Sequence, residues 1–128
     1  MYAAQKQYRD LSIASRIEAA SPHELVKILY EELVRALDIT ASALAQGKAE
    51  ACRLSRERAS SILLALEASL DFERGGNLAR NLAAIYRAMQ KQLMASVRAG
   101  DTARLKEIRG SVAELLGAWA KIKTSERA

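Results

Sequence analysis

His23 and Cys52 are the chain's single histidine and single cysteine, the side chains best suited to proton transfer, metal ligation or nucleophilic attack. Either would need company: a base beside a thiol, a carboxylate behind an imidazole, or three or four ligands around a metal. The sequence supplies none nearby. It has no C-x-x-C, no H-E-x-x-H, no Walker loop and no dinucleotide fingerprint. His23 falls in the first turn of a helix, where the dipole disfavours a protonated ring, and is read as a surface residue of that helix start. Cys52 falls on an apolar stripe and is read as a small hydrophobe. Asp71 and Glu73 are close enough to resemble an acid pair, but they flank a turn, where capping and ion pairing are the expected work. Di-metal bundles use an E-x-x-H motif on facing helices, and the chain has none. The residues therefore predict no catalytic group, no metal, no cofactor and no enzyme.

What such residues would hang on is almost entirely helical. The stretch Ser69-Leu70-Asp71-Phe72-Glu73-Arg74-Gly75-Gly76-Asn77 holds the only Gly-Gly pair, between two long segments of helical periodicity. Glycine lets the backbone reverse where a side chain would clash. Phe72 is expected to plug the bundle end there. Ser21-Pro22-His23-Glu24 is a helix start, with Ser at N-cap, Pro at N1 and Glu placed to reach back to the Ser21 amide. Leu25, Ile28, Leu29, Glu32, Ala36, Ile39 and Ala43 then trace one stripe, which Val26, Leu33 and Leu37 widen. Gln46-Gly47 is the stop.

A second helix carries Cys52, Ala59, Ile62, Leu63, Leu66 and Leu70. A third carries Leu78, Leu82, Ile85, Tyr86, Met89, Leu93 and Val97. Gly100-Asp101 punctuates the chain, with Asp101 as the cap of a fourth. Leu105, Ile108, Val112, Leu115, Trp119 and Ile122 alternate three and four apart, an a/d seam that serves either the domain's own core or a partner. Short connections predict an all-α, antiparallel up-down-up-down four-helix bundle over 21–128, with helices near 22–46, 48–71, 77–99 and 102–123. Residues 1–20 are weakly patterned and are read as an N-terminal cap, part short helix and part tail over the bundle.

A chain of 128 residues, half of them apolar, supports one core. Aromatics make up only 5%, so alanine and aliphatic side chains must fill it. No apolar run is long enough to span a membrane. No apolar stretch follows Met1–Lys6, so a signal peptide is not expected. One cysteine excludes an internal disulfide framework and fits a reducing cytoplasm. The formal charge of +5 is scattered, as in Glu31/Arg35 and Arg53/Glu57, and reads as a solvated surface without nucleic-acid binding.

Two motifs resemble a known family. One is Ala20-Ser21-Pro22-His23-Glu24-Leu25 leading to Leu29-Tyr30. The other is Ser69 through Gly76, followed by Asn81-Leu82, Ile85-Tyr86 and Met89. Together, at this spacing and chain length, they are similar to the flagellar secretion chaperones of the FliS type. The family often has Thr where Ala19 stands and an apolar residue where Glu18 stands. The resemblance implies a cytoplasmic helical bundle that holds the disordered C-terminal region of flagellin one-to-one. It would prevent premature polymerisation and assist delivery to the flagellar type III export apparatus, with other flagellar export or regulatory proteins as further partners. It also implies that Tyr2, Tyr8 and Ile17 belong to an N-terminal cap over part of the client groove.

Physically, a disordered amphipathic segment can fold into a groove between helices and is held there by extended apolar contact. The client-binding residues expected are Ile17, Leu25, Leu29, Tyr30, Leu78, Tyr86 and Met89. Ile62, Leu66, Ile85, Leu93, Leu115 and Trp119 are expected in the core. The alternative reading is a generic helical adaptor or oligomeric structural protein, which would need a second large apolar face.

Overall fold

The computed structural model describes residues 12–122. Tyr2 and Tyr8 lie outside them. Residues 12–19 form a short helical segment, and four longer helices follow. These are α1 (Pro22–Ala45), α2 (Ala49–Ala68), α3 (Phe72–Ala99) and α4 (Thr102–Lys121). The fold is all-α.

Both ends of α1 and the starts of α3 and α4 have a local cause. Ser21 Oγ accepts from the Glu24 amide at 3.2 Å, with Pro22 in the first turn. Only that half of the expected capping box forms. α1 ends where Gly47 turns left-handed at φ 70°, which lets the Lys48 amide reach the Ala43 carbonyl at 2.9 Å. Asp71 caps α3 by accepting from the Glu73 and Arg74 amides, both at 3.1 Å. Asp101 caps α4, accepting from the Arg104 amide at 3.0 Å.

The Gly-Gly pair divides its work. Gly76 sits at φ 51°, ψ −124°, a break inside α3 that separates the turn 72–75 from the long helix beyond it. Gly75 has an ordinary φ but no room: a Cβ there would come within 2.9 Å of the Ala79 Cβ. The long part of α3 thus begins after Gly76. Phe72 does not plug the bundle end. It is 45% exposed, on the turn that Gly76 detaches from the rest of α3.

α1 packs most extensively against α2 and α4, and α3 closes the ring more thinly against the same two helices. Cross-helix bonds show how the neighbours run. Glu32 meets Arg58 and Thr40 meets Ser55 between α1 and α2. Asp38 meets Arg109 and His23 meets Trp119 between α1 and α4. Glu67 meets Arg87 and Ser60 meets Gln90 between α2 and α3. In each pair, later residues of one helix face earlier residues of the next.

The core is aliphatic, built on Leu33, Leu37, Leu63, Leu66, Leu93, Leu105 and Val112, with two tyrosines, Tyr30 and Tyr86. Buried hydroxyls bond locally. Thr40 Oγ1 donates to the Ala36 carbonyl at 2.7 Å, and Ser96 Oγ to the Gln92 carbonyl at 2.6 Å. The thin packing of α3 has a cost in coverage. Ile85, expected in the core, is 39% exposed. Ile39, on the expected stripe of α1, is also exposed. Its register falls outside the arc that α2 and α4 cover.

Candidate binding site

At the end of the bundle where α1 begins and α4 ends, an open cavity of about 460 Å³ lies between three helices and the Gly-Gly turn. Val26 and Tyr30 come from α1, Leu78, Leu82 and Tyr86 from α3, and Trp119 from the last turn of α4. Leu70, Asp71 and Arg74 complete the wall from the turn. The wall is chiefly aliphatic and aromatic. Its charged groups, Asp71 and Arg74, form a loose ion pair at 3.8 Å on the exposed turn.

Two aromatic pairs shape this end. Trp119 Nε1 donates to the His23 carbonyl at 3.0 Å, while His23 Nε2 donates to the Trp119 carbonyl at 3.1 Å. The second bond needs a proton on Nε2, since a carbonyl oxygen only accepts. The two rings stack with centroids 4.9 Å apart and 14° between planes. His23 is thus no bare surface residue. It is half-buried and ties the start of α1 to the end of α4.

Beneath them, the Tyr30 and Tyr86 hydroxyls bond to each other at 2.5 Å. Both phenols keep their protons above the ordinary value of 10.0 because burial disfavours the phenolate. The mutual bond opposes that shift at Tyr30 and adds to it at Tyr86.

The cavity brings together three of the residues singled out from sequence: Tyr30, Leu78 and Tyr86. They do not play the same part. Leu78 is 63% exposed and offers its side chain to solvent. Tyr30 and Tyr86, at 1% and 2%, form the floor. Leu25 and Leu29 are half-buried and line no part of this cavity, and Leu29 packs against the core. Ile17 is exposed on the short N-terminal helix, which is anchored to α1 by Arg16 and Glu31 at 3.0 Å.

Met89 is buried and lines a different groove, of about 430 Å³, between α3 and α4 with Ile85, Gln92, Glu114 and Leu115. Sequence reasoning missed Val26, Leu70, Leu82, Trp119 and Ile122 as cavity residues. The signal available was that Trp119 and Ile122 end the a/d seam, where the covering helices run out. Leu115 and Trp119 are half-buried walls instead of full core, whereas Ile62, Leu66 and Leu93 are buried as expected.

Among the described residues no group of three or more His, Cys, Asp and Glu could hold a metal ion. No described helix is long and apolar enough to cross a membrane. An apolar cavity open at one end of a helical bundle has the shape and lining to take apolar side chains.

Comparison with known proteins specifies the family. Residues 4–126 match the family model described as flagellar protein FliS. The flagellar secretion chaperone FliS of Salmonella typhimurium is 32% identical over 125 residues, covering 95% of this chain and 93% of the relative. FliSB of Pseudomonas aeruginosa, also a flagellar secretion chaperone, is 31% identical over 121 residues, 93% and 96% of the two chains. FliS of Vibrio cholerae is 28% identical over 122 residues, 95% and 90% of the two chains. This chain belongs to the FliS family of flagellar proteins.

Proposed function

We propose that this chain is a cytoplasmic flagellar secretion chaperone. On this reading it binds the disordered C-terminal region of flagellin one-to-one, prevents premature polymerisation and assists delivery to the type III export apparatus. The observation that carries the reading is family membership running nearly end to end, from residue 4 to 126. The open apolar cavity supports it physically. A client segment that folds on binding needs contiguous apolar contact to offset the entropy of ordering. The working architecture is an antiparallel up-down-up-down bundle over 21–128, which the order of the cross-helix bonds supports, with residues 1–20 as a cap. Leu78 and Trp119 are the residues that would touch the client at the cavity, with Tyr30 and Tyr86 as its floor. Ile17, Leu25, Leu29 and Met89 would bind further along the client's path, and Tyr2, Tyr8 and Ile17 would form the cap. Other flagellar export or regulatory proteins are further partners on this reading.

Calorimetry against a peptide covering the C-terminal disordered region of flagellin from the same cell tests it. The expected result is saturable one-to-one binding with a negative heat-capacity change. No binding to the folded protein would remove flagellin as the client and favour a helical adaptor or another export substrate.

A further inference from the structure

We propose that the outer seam between α2 and α3 is a second docking surface, which takes an acidic amphipathic helix of a protein partner. From Arg74 to the end of α3 the helix carries five basic residues and no acidic one. Four of them, Arg80, Arg87, Lys91 and Arg98, fall on one face with Met94, spaced by three, four or seven. That face borders α2. Arg87 pairs with Glu67 at 2.7 Å, and Arg56 Nη1 donates to Met94 Sδ at 3.3 Å.

The positive charge there is left largely unbalanced. Glu67 is taken by Arg87, and Glu50 and Glu57 are both taken by Arg53, at 2.7 and 2.9 Å. Arg80 bonds the Asn77 side chain, and Arg56 spends its bond on a thioether, a weak acceptor. Arg56, Arg80, Lys91 and Arg98 have no carboxylate partner among the described residues. Along the same seam Leu64 and Met94 stand 59% and 41% exposed. Leu64 lies between Ser60 and Glu67, both of which bond to α3.

Charge complementarity selects the occupant. A second copy of the chain would bring like charge to the seam. A nucleic acid would meet the cations but gain nothing from Leu64 and Met94. An acidic helix with one aliphatic edge satisfies both, and the stripe from Arg80 to Arg98 is about 27 Å long at 1.5 Å per residue, room for about five turns. This inference rests on the charge pattern of α3 and not on the flagellin reading.

The test is fluorescence anisotropy with a labelled synthetic peptide of about 18 residues, leucines on one helical face and glutamates on its flanks. A scrambled peptide of the same composition is the control. The patterned peptide is expected to bind at least about tenfold more tightly than the scrambled one. The triple variant Arg80→Glu, Lys91→Glu, Arg98→Glu, with unchanged circular dichroism and melting, is expected to lose at least about tenfold in affinity. A Leu64→Ser, Met94→Ser variant is expected to weaken the patterned peptide and leave the scrambled one unaffected. Equal binding of both peptides, or undiminished binding to the charge-reversed variant, would overturn the proposal. So would loss of binding on Leu78→Ser, which would place the peptide in the end cavity. Displacement of the peptide by duplex DNA or anionic phospholipid vesicles at lower concentration than unlabelled peptide would reassign the stripe to polyanions.

Discussion

The hydroxyl pair of Tyr30 and Tyr86 makes a sharp energetic prediction. The two oxygens are 2.5 Å apart and, among the described residues, make no other hydrogen bond. Changing either residue to Phe keeps the ring that fills the cavity floor and leaves the other hydroxyl buried without its partner. An orphaned buried hydroxyl costs about 1–3 kcal/mol, the low end applying where the adjoining cavity lets a water reach it. For a domain of this size that is a fall in Tm of about 4 °C per kcal/mol.

The double variant removes both polar groups at once. It should therefore be less destabilised than the sum of the singles, and close to neutral if packing is kept. The assay is urea unfolding of the four proteins of the cycle, read as the coupling between the two positions. A coupling of at least about 1 kcal/mol is expected. Additive losses, or singles within about 0.5 kcal/mol of the parent, would refute the claim that each hydroxyl is the other's partner.

Further outcomes follow from the same geometry. Because Tyr30 and Tyr86 hold their protons above 10.0 in the fold, the unfolded chain binds fewer protons at high pH. Their contribution to stability is constant below pH 10 and is lost as pH rises beyond it, so an alkaline absorbance titration should show part of the tyrosine signal appearing only with unfolding. Gly76→Ala places a Cβ at φ 51°, ψ −124° and should destabilise the protein by about 1–3 kcal/mol in chemical denaturation. A neutral result would mean that the turn accepts another backbone geometry. Leu78→Ser should change stability by no more than about 0.5 kcal/mol yet weaken client binding, whereas Leu93→Ala should cost about 2–5 kcal/mol. Emission of Trp119, the chain's one tryptophan, should change when a client enters the cavity. An unchanged spectrum at saturation would place the client elsewhere.

Much of the scaffold is written in local signals. A serine before proline, aspartates at 71 and 101, and glycines at 47, 76 and 100 act on backbone groups within a few residues of themselves. Their effect is therefore readable without knowing the fold. The three-and-four spacing of apolar residues likewise identifies the helices, since it depends only on helical pitch. The motifs around Ser21 and Gly76 carried the family as well. How much of each stripe would be covered was not readable in the same way. Leu78, Ile85, Tyr86 and Met89 belong to one apolar series on α3, yet Leu78 and Ile85 are exposed while Tyr86 and Met89 are buried. The difference comes from where α2 and α4 pass, and α4 covers α3 only thinly.

The end cavity is more strongly tertiary. His23 and Trp119 are 96 positions apart, and nothing near either residue announces the other. Their reciprocal bonds exist because α1 and α4 lie side by side, the first turn of one against the last turn of the other. Residue types and periodicity by themselves determined four helices with apolar stripes, three of them capped by a side chain. Which side chains on those stripes became floor, wall or open surface was decided only when the helices packed, because burial is a property of neighbours and not of a position in the chain.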